Sequence, residues 1–152
     1  MQEQLTYLKM MEEATKYVCN DKPHMNGPED IAAFLRPLMQ GQTQESFYVL
    51  LVNAKNCLLD FKRVTVGTVD AAPIHAREIF RDAIIQNASR IIVAHNHPSG
   101  DPMPSGPDIE CTRKLVNAGV VLGISLMDHV VVGACTPTRS KDWVSFRESN
   151  LL

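Results

Sequence analysis

The stretch Ile91-Ile-Val-Ala-His95-Asn-His97-Pro-Ser-Gly-Asp-Pro-Met-Pro-Ser105-Gly-Pro-Asp108 decides how this chain is read. Ile91 to Ala94 is apolar throughout and too short for a helix, which predicts a central strand covered on both faces. Residues two apart on a strand point to the same side. The strand end therefore aims His95 and His97 together into one pocket. The loop over 96–107 carries four of the chain's nine prolines and two of its eight glycines, so it is stiff and sharply turned. Ser105 and Asp108 follow at the mouth of a helix predicted from about 108 to 118 and stopped by Gly119.

Two imidazoles and one carboxylate make the three-ligand set of a catalytic zinc, with the fourth position left for water. That implies metal-assisted hydrolysis. Each piece alone has a plainer reading. A lone H-x-H in a polar loop is commonly a pair of surface histidines. S-x-x-D ahead of an apolar-periodic stretch is a capping box, in which Ser105 accepts from an early helix N–H. The two readings are compatible, because a loop that caps the helix also fixes the carboxylate.

Working outward, strands and helices interleave. Leu5, Leu8, Met11, Ala14 and Val18 recur at helical spacing and predict a first helix. The stretch 20–27 is a linker by composition. A second helix follows, with Pro28 in its first turn, Glu29 and Asp30 at its positive end, and Ile31, Phe34, Leu35 and Leu38 on one face. Pro37 is expected to kink it, and Gly41 to stop it. Ser46 to Val52 predicts a strand, Asn53 to Asn56 a turn, and Cys57 to Val66 the hairpin partner. His75 to Asn87 predicts a helix. Val121 to Leu126 and His129 to Val132 predict two further strands, and the tail around Trp143 to Phe146 is expected to pack. This is an α/β chain. Core packing and a subunit interface explain the apolar strands at 47–52 and 121–126 equally well.

The bulk numbers narrow the function. A chain of 152 residues supports one domain with a real core. Net charge is −2, with no clustered basic face, so non-specific nucleic-acid binding has no electrostatic footprint. Cys19, Cys57, Cys111 and Cys135 are scattered and form no C-x-x-C pair, which reads as reduced, mostly buried thiols of a cytoplasmic protein. No apolar run is long enough to span a membrane. The N-terminus lacks the pattern of a signal peptide.

H-x-H, seven residues and S-x-x-D, starting at a strand end, is similar to the JAMM signature of JAB/MPN zinc peptidases. The fuller stretch from His95 to Asp108 resembles the bacterial RadC family within that group. His75-Ala-Arg-Glu-Ile-Phe80 and Met127-Asp-His-Val-Val-Val-Gly133 add to the likeness, which runs from about Gly27 to Phe146. The resemblance implies a JAB/MPN-type mixed sheet flanked by helices, with a cytidine-deaminase-like architecture. It divides the chain into an N-terminal extension and linker at 1–26 and one domain at 27–152. It further implies one Zn2+ per chain held by His95, His97 and Asp108, with Ser105 donating to the oxyanion. An upstream glutamate would polarise the zinc-bound water. Glu45 fits that place, and Glu78 is the weaker candidate beside Arg77. The activity implied is hydrolysis of a peptide or isopeptide bond in a peptide or protein substrate.

The family's association with DNA repair supplies the alternative, an accessory protein that uses the domain as a binding module. Longer relatives carry a helix-hairpin-helix region for DNA. The residues before 27 hold no glycine hairpin of that kind, so the expectation is a stand-alone catalytic domain. Asn96 stands where eukaryotic relatives have serine or threonine, and should face away from the ligands. Asp128-His129 reads first as a structural pair at a strand end, and second as a pair that orients a ligand through a ring hydrogen bond. His24 and His75 are read as non-ligands. Other zinc patterns, such as the H-E-x-x-H helix and the deaminase H-x-E with P-C-x-x-C, are absent.

Overall fold

The computed structural model describes residues 22–66 and 74–152. The helix expected over Leu5 to Val18, Cys19 and most of the N-terminal extension lie outside the described residues. In chain order the elements are α1 (Pro28–Met39), β1 (Ser46–Val52), β2 (Leu58–Val66), α2 (Ala76–Ile85), β3 (Arg90–Asn96), α3 (Gly106–Leu122), β4 (Ser125–Val132) and β5 (Trp143–Ser145).

The strands form one sheet in the order β2-β1-β3-β4-β5. β1 and β2 are joined by the Asn53–Asn56 turn, where Asn53 Oδ1 accepts from the N–H groups of Lys55 and Cys57. β1 runs antiparallel to β3, and β3 parallel to β4. The sheet is therefore mixed, with β3 at its centre as its apolar run requires. This is the JAB/MPN-type α/β architecture expected from the sequence.

Alternation along the strands sorts side chains between two cores. Tyr48, Leu50, Val52, Ile92 and Ala94 meet Ile31, Ala32, Leu35 and Met39 of α1 on one face. Phe47, Val49, Leu51, Ile91 and Val93 meet Ile79, Phe80 and Ala83 of α2 and Cys111 and Leu115 of α3 on the other. The strand at 47–52 is thus consumed by core packing. Pro28 sits in the first turn of α1, Pro37 near its end, and Gly41 turns the chain away with φ of 76°.

One expectation fails. The predicted strand at Val121–Leu126 does not exist, and the predicted pair of strands is a single strand, β4. α3 runs through Gly119 and ends at Gly123, which takes the left-handed conformation with φ of 69°. Gly119 is small for a different reason: a Cβ there would lie 2.5 Å from the Ile124 carbonyl oxygen. The helix end folds back onto its own exit at that point, and Val120 and Val121 face solvent.

Cys57 and Cys111 are buried and Cys135 is exposed. Burial pushes the Cys111 thiol up to about 11, which keeps it protonated and inert. Among the described residues, no helix is long and apolar enough to cross a membrane.

Candidate metal centre

β3 carries His95 as its penultimate residue, so the ring is held by a strand paired on both sides and is fully buried. Phe47, its partner across β1, stacks on the imidazole at 5.9 Å between ring centroids. His97 lies just past the strand end. Its own N–H donates to the Val132 carbonyl, which extends the alignment with β4 by one bond.

Asp108 comes from the first turn of α3. Ser105 Oγ accepts from the Asp108 N–H, and the Ser105 N–H donates to Asp108 Oδ2, which completes a capping box. The Ser105 hydroxyl also donates to Oδ2 at 2.7 Å. The capping box and the placement of the carboxylate are one set of bonds. The α3 N-terminus further favours the negative charge.

These residues meet. His95 Nε2 and His97 Nε2 are 3.0 Å apart. Asp108 Oδ1 lies 3.2 Å from His95 Nε2, and Oδ2 lies 3.4 Å from His97 Nε2. Zinc bonds of about 2.0–2.1 Å to four tetrahedral ligands imply edges of about 3.3 Å between them. The histidine separation and the approach of one carboxylate oxygen to each ring lie near that value. Among the described residues, this His–His–Asp group is the cluster that could hold a metal ion.

The surrounding hydrogen bonds fix which ring nitrogen carries a proton. The Thr112 hydroxyl donates to the Asp108 carbonyl, one turn back in α3. Its proton being used, the Thr112 oxygen accepts from His129 Nδ1 at 2.6 Å. Burial pushes His129 well below its ordinary value, so it is neutral and holds that one proton. His129 Nε2 must then accept from His95 Nδ1 at 2.9 Å. When His95 is neutral, as a metal ligand must be, its Nε2 keeps a lone pair that faces Asp108 and His97. His97 arrives at the same state by a shorter route, with Nδ1–H donating to the Asp101 carbonyl at 2.7 Å. Both rings can offer Nε2 as a metal donor.

Charge in the group follows the same contacts. Burial acts to raise the Asp108 carboxyl; when Nε2 of His95 and His97 carry protons in place of a metal, the bonds from them outweigh it and hold it well below the ordinary carboxylate range. Burial acts to lower His97, and Asp108 and the Asp101 carbonyl outweigh it and raise it. In the metal-free group, Asp108 is a fixed anion that attracts cations.

Glu45, the residue before β1, places Oε1 3.9 Å from His97 Nε2, with its side chain 21% exposed. Glu78 lies on α2 beside Arg77, outside the group. His24 contacts the Lys55 carbonyl, and His75 caps α2; neither joins the cluster. The pair Asp128-His129 divides. Asp128 is structural, accepting from Ser145 Oγ–H and from the N–H groups of His129 and Arg147. His129 orients a candidate ligand, the second of the two sequence readings. Thr112 was not legible, because its partner His129 lies 17 residues away on another element. An open groove of about 370 Å³ adjoins the cluster, lined in part by Met39, Gln42, Asn96, His97 and Gly133. A larger groove of about 740 Å³, near Glu29, Lys141 and Trp143, contains none of these residues.

A mixed sheet whose central strand ends in H-x-H, with an aspartate supplied by the cap of the next helix, defines an α/β domain of the JAB class. The chain belongs to the RadC-like JAB domain family, whose family model matches residues 25–151. It is 47% identical over 125 residues to a UPF0758 protein of Symbiobacterium thermophilum, covering 82% of this chain and 51% of that one. It is 43% identical over 133 residues to a UPF0758 protein of Chlorobium luteolum, covering 88% and 57%. A UPF0758 protein of Clostridium novyi is 35% identical over 136 residues, covering 90% and 57%. The chain thus spans little more than half the length of these relatives.

Proposed function

We propose that this domain is a zinc-dependent hydrolase of amide bonds, acting on a peptide or isopeptide substrate. One observation carries the reading: His95 Nε2, His97 Nε2 and the Asp108 carboxylate converge on one point, with separations near those between the ligands of a zinc ion. A bound zinc would supply a Lewis acid that polarises a carbonyl and makes water a better nucleophile at neutral pH.

The chain's own groups supply the rest. Glu45 stands at the open side of the cluster, where a carboxylate can take the proton of the attacking water and pass it to the leaving amine. Ser105 lies beside the ligand Asp108 and serves as donor to the carbonyl oxygen as that oxygen gains charge. Its hydroxyl proton is directed at Asp108 Oδ2 here. That role therefore requires the hydroxyl to turn away from the carboxylate. Phe47 and the sheet exclude water behind His95, and the groove beside His97 admits the substrate.

The first test is metal content by mass spectrometry, on protein purified without added metal or chelator. About one zinc per chain is expected in the wild type. Asp108→Asn, which retains an acceptor for the helix cap, should fold and lose the metal. Glu45→Gln should keep the metal and lose about 10²-fold or more in peptide turnover. A folded wild type that takes no zinc when offered it would overturn the reading. It would leave the three residues as a helix cap and its neighbours, and bring a nucleic-acid or protein binding module forward.

A further inference from the structure

We propose that Asn96 is a positioning residue for Glu45, a role that rests on reading Glu45 as the proton carrier. Asn96 stands between the two histidines and, by strand alternation, on the other face of the sheet. It is 6% exposed, so little of it opens onto the groove it borders. Both ends of its carboxamide are used. Oδ1 accepts from the Ser46 N–H at 2.7 Å, and Nδ2 donates to the Gln44 carbonyl at 3.1 Å. Those two backbone groups flank Glu45.

The reason lies in where pairing stops. The ladder between β1 and β3 ends at Phe47↔His95. Ser46 is buried, and its N–H has no β3 backbone partner beyond that register. A buried N–H must be satisfied, and the Asn96 side chain does this in place of a ladder bond. The same side chain then reaches one residue further back and holds Gln44. The backbone of Glu45 is therefore gripped on both sides by the residue that separates the histidines. The three residues His95-Asn96-His97 thus set the ligands on one face and the carboxylate's anchor on the other. Fixing both from one strand end fixes the distance between them. Only a carboxamide accepts at one end and donates at the other with this reach. An aspartate would retain the first bond and lose the second.

The test uses the zinc-loaded chain, with wild type, Asn96→Ala, Asn96→Asp and Glu45→Gln compared. Folding is checked by circular dichroism and zinc content by mass spectrometry. Both should match wild type in Asn96→Ala, because the ligands face away from the substitution. Amide exchange at Ser46 should accelerate by about tenfold or more. The χ1 couplings of Glu45, assigned by their loss in Glu45→Gln, should change from one rotamer to an average. Asn96→Asp, with one bond left, should give an intermediate averaging of Glu45 and serves if the alanine variant does not fold. Where a peptide is turned over, Asn96→Ala and Glu45→Gln should be non-additive, since one acts through the other. Unchanged Glu45 couplings in both folded variants would overturn the proposal. So would fully additive losses in turnover. A wild type with zinc but no hydrolysis, together with averaged Glu45 couplings in Asn96→Ala, would sink the hydrolase and leave the clamp standing.

Discussion

His129 holds a single proton, and where that proton sits decides how His95 meets a metal. The relay from His95 through His129 to Thr112 and the Asp108 carbonyl closes on the helix that supplies the third ligand. Thr112→Val keeps the shape and removes the hydroxyl. The His129 Nδ1–H then has no acceptor, which costs about 1–3 kcal/mol of stability. It also frees His129 to change tautomer, so His95 loses its orienting partner. Zinc affinity, measured by competition with a chelating dye, should fall by about 10–100-fold. Thr112→Ser keeps the hydroxyl and should keep the affinity. Unchanged affinity in Thr112→Val would remove the relay from the account. At this scale the legible residues were those with local spacing: His95 and His97 two apart, Ser105 and Asp108 three apart. His129 lies 34 residues from His95 and reaches it through the parallel pairing of β3 and β4, which no local pattern reports.

The elements that sequence patterning placed well were those with one period and clear punctuation. β1 and β3 are buried along almost their whole length, and α1 shows its proline start and its buried stripe. The end of α3 misleads because two glycines, 119 and 123, offer two stops, and the valines between them favour strand. The structure gives the first glycine to packing and the second to the cap. Substitution separates these readings. Alanine for glycine inside a helix ordinarily gains about 1 kcal/mol. At Gly119 the added methyl would meet the Ile124 backbone oxygen at 2.5 Å, and backbone cannot swing aside. Gly119→Ala is expected to lose about 1–3 kcal/mol in urea unfolding. Val121→Lys, at a position 85% exposed, should change stability by no more than about 0.5 kcal/mol. A buried strand at 121–126 would give the reverse order, with the lysine severe and the alanine mild.

Across the whole molecule, the segment between β4 and β5 ties the loop that follows His97 to α1. Ala134 N–H donates to the Gly100 carbonyl, and Arg139 reaches Gly100 and Asp101. Gly133 has no side chain because a Cβ there would overlap the Gly100 carbonyl oxygen. The far end of the segment is held by Asp142, whose carboxylate takes two bonds from Arg36 of α1, at 2.6 and 2.9 Å. These partners are 106 residues apart, so the tie was not visible in the sequence. The Arg36 bonds, opposed by burial, lower the Asp142 carboxyl from 3.8. A carboxyl with a depressed folded value contributes stability above its unfolded value and loses it as pH falls through the folded one. The pair's contribution is therefore full at neutral pH and fades below about 3.8. Arg36 is half exposed, so screening limits the contribution to about 1 kcal/mol. Arg36→Gln should be less stable than wild type by about that amount at pH 7. The two should converge as pH is lowered past 3.8, in urea unfolding of metal-free protein with chelator present. Chelation keeps proton competition at His95 and His97 from entering the comparison, and the difference between the two proteins cancels every other carboxylate. A gap that persists at low pH would assign Arg36 to packing on α1. A gap that closes would assign it to the ion pair, and make this pair the latch between the helix on one face and the loop that carries His97.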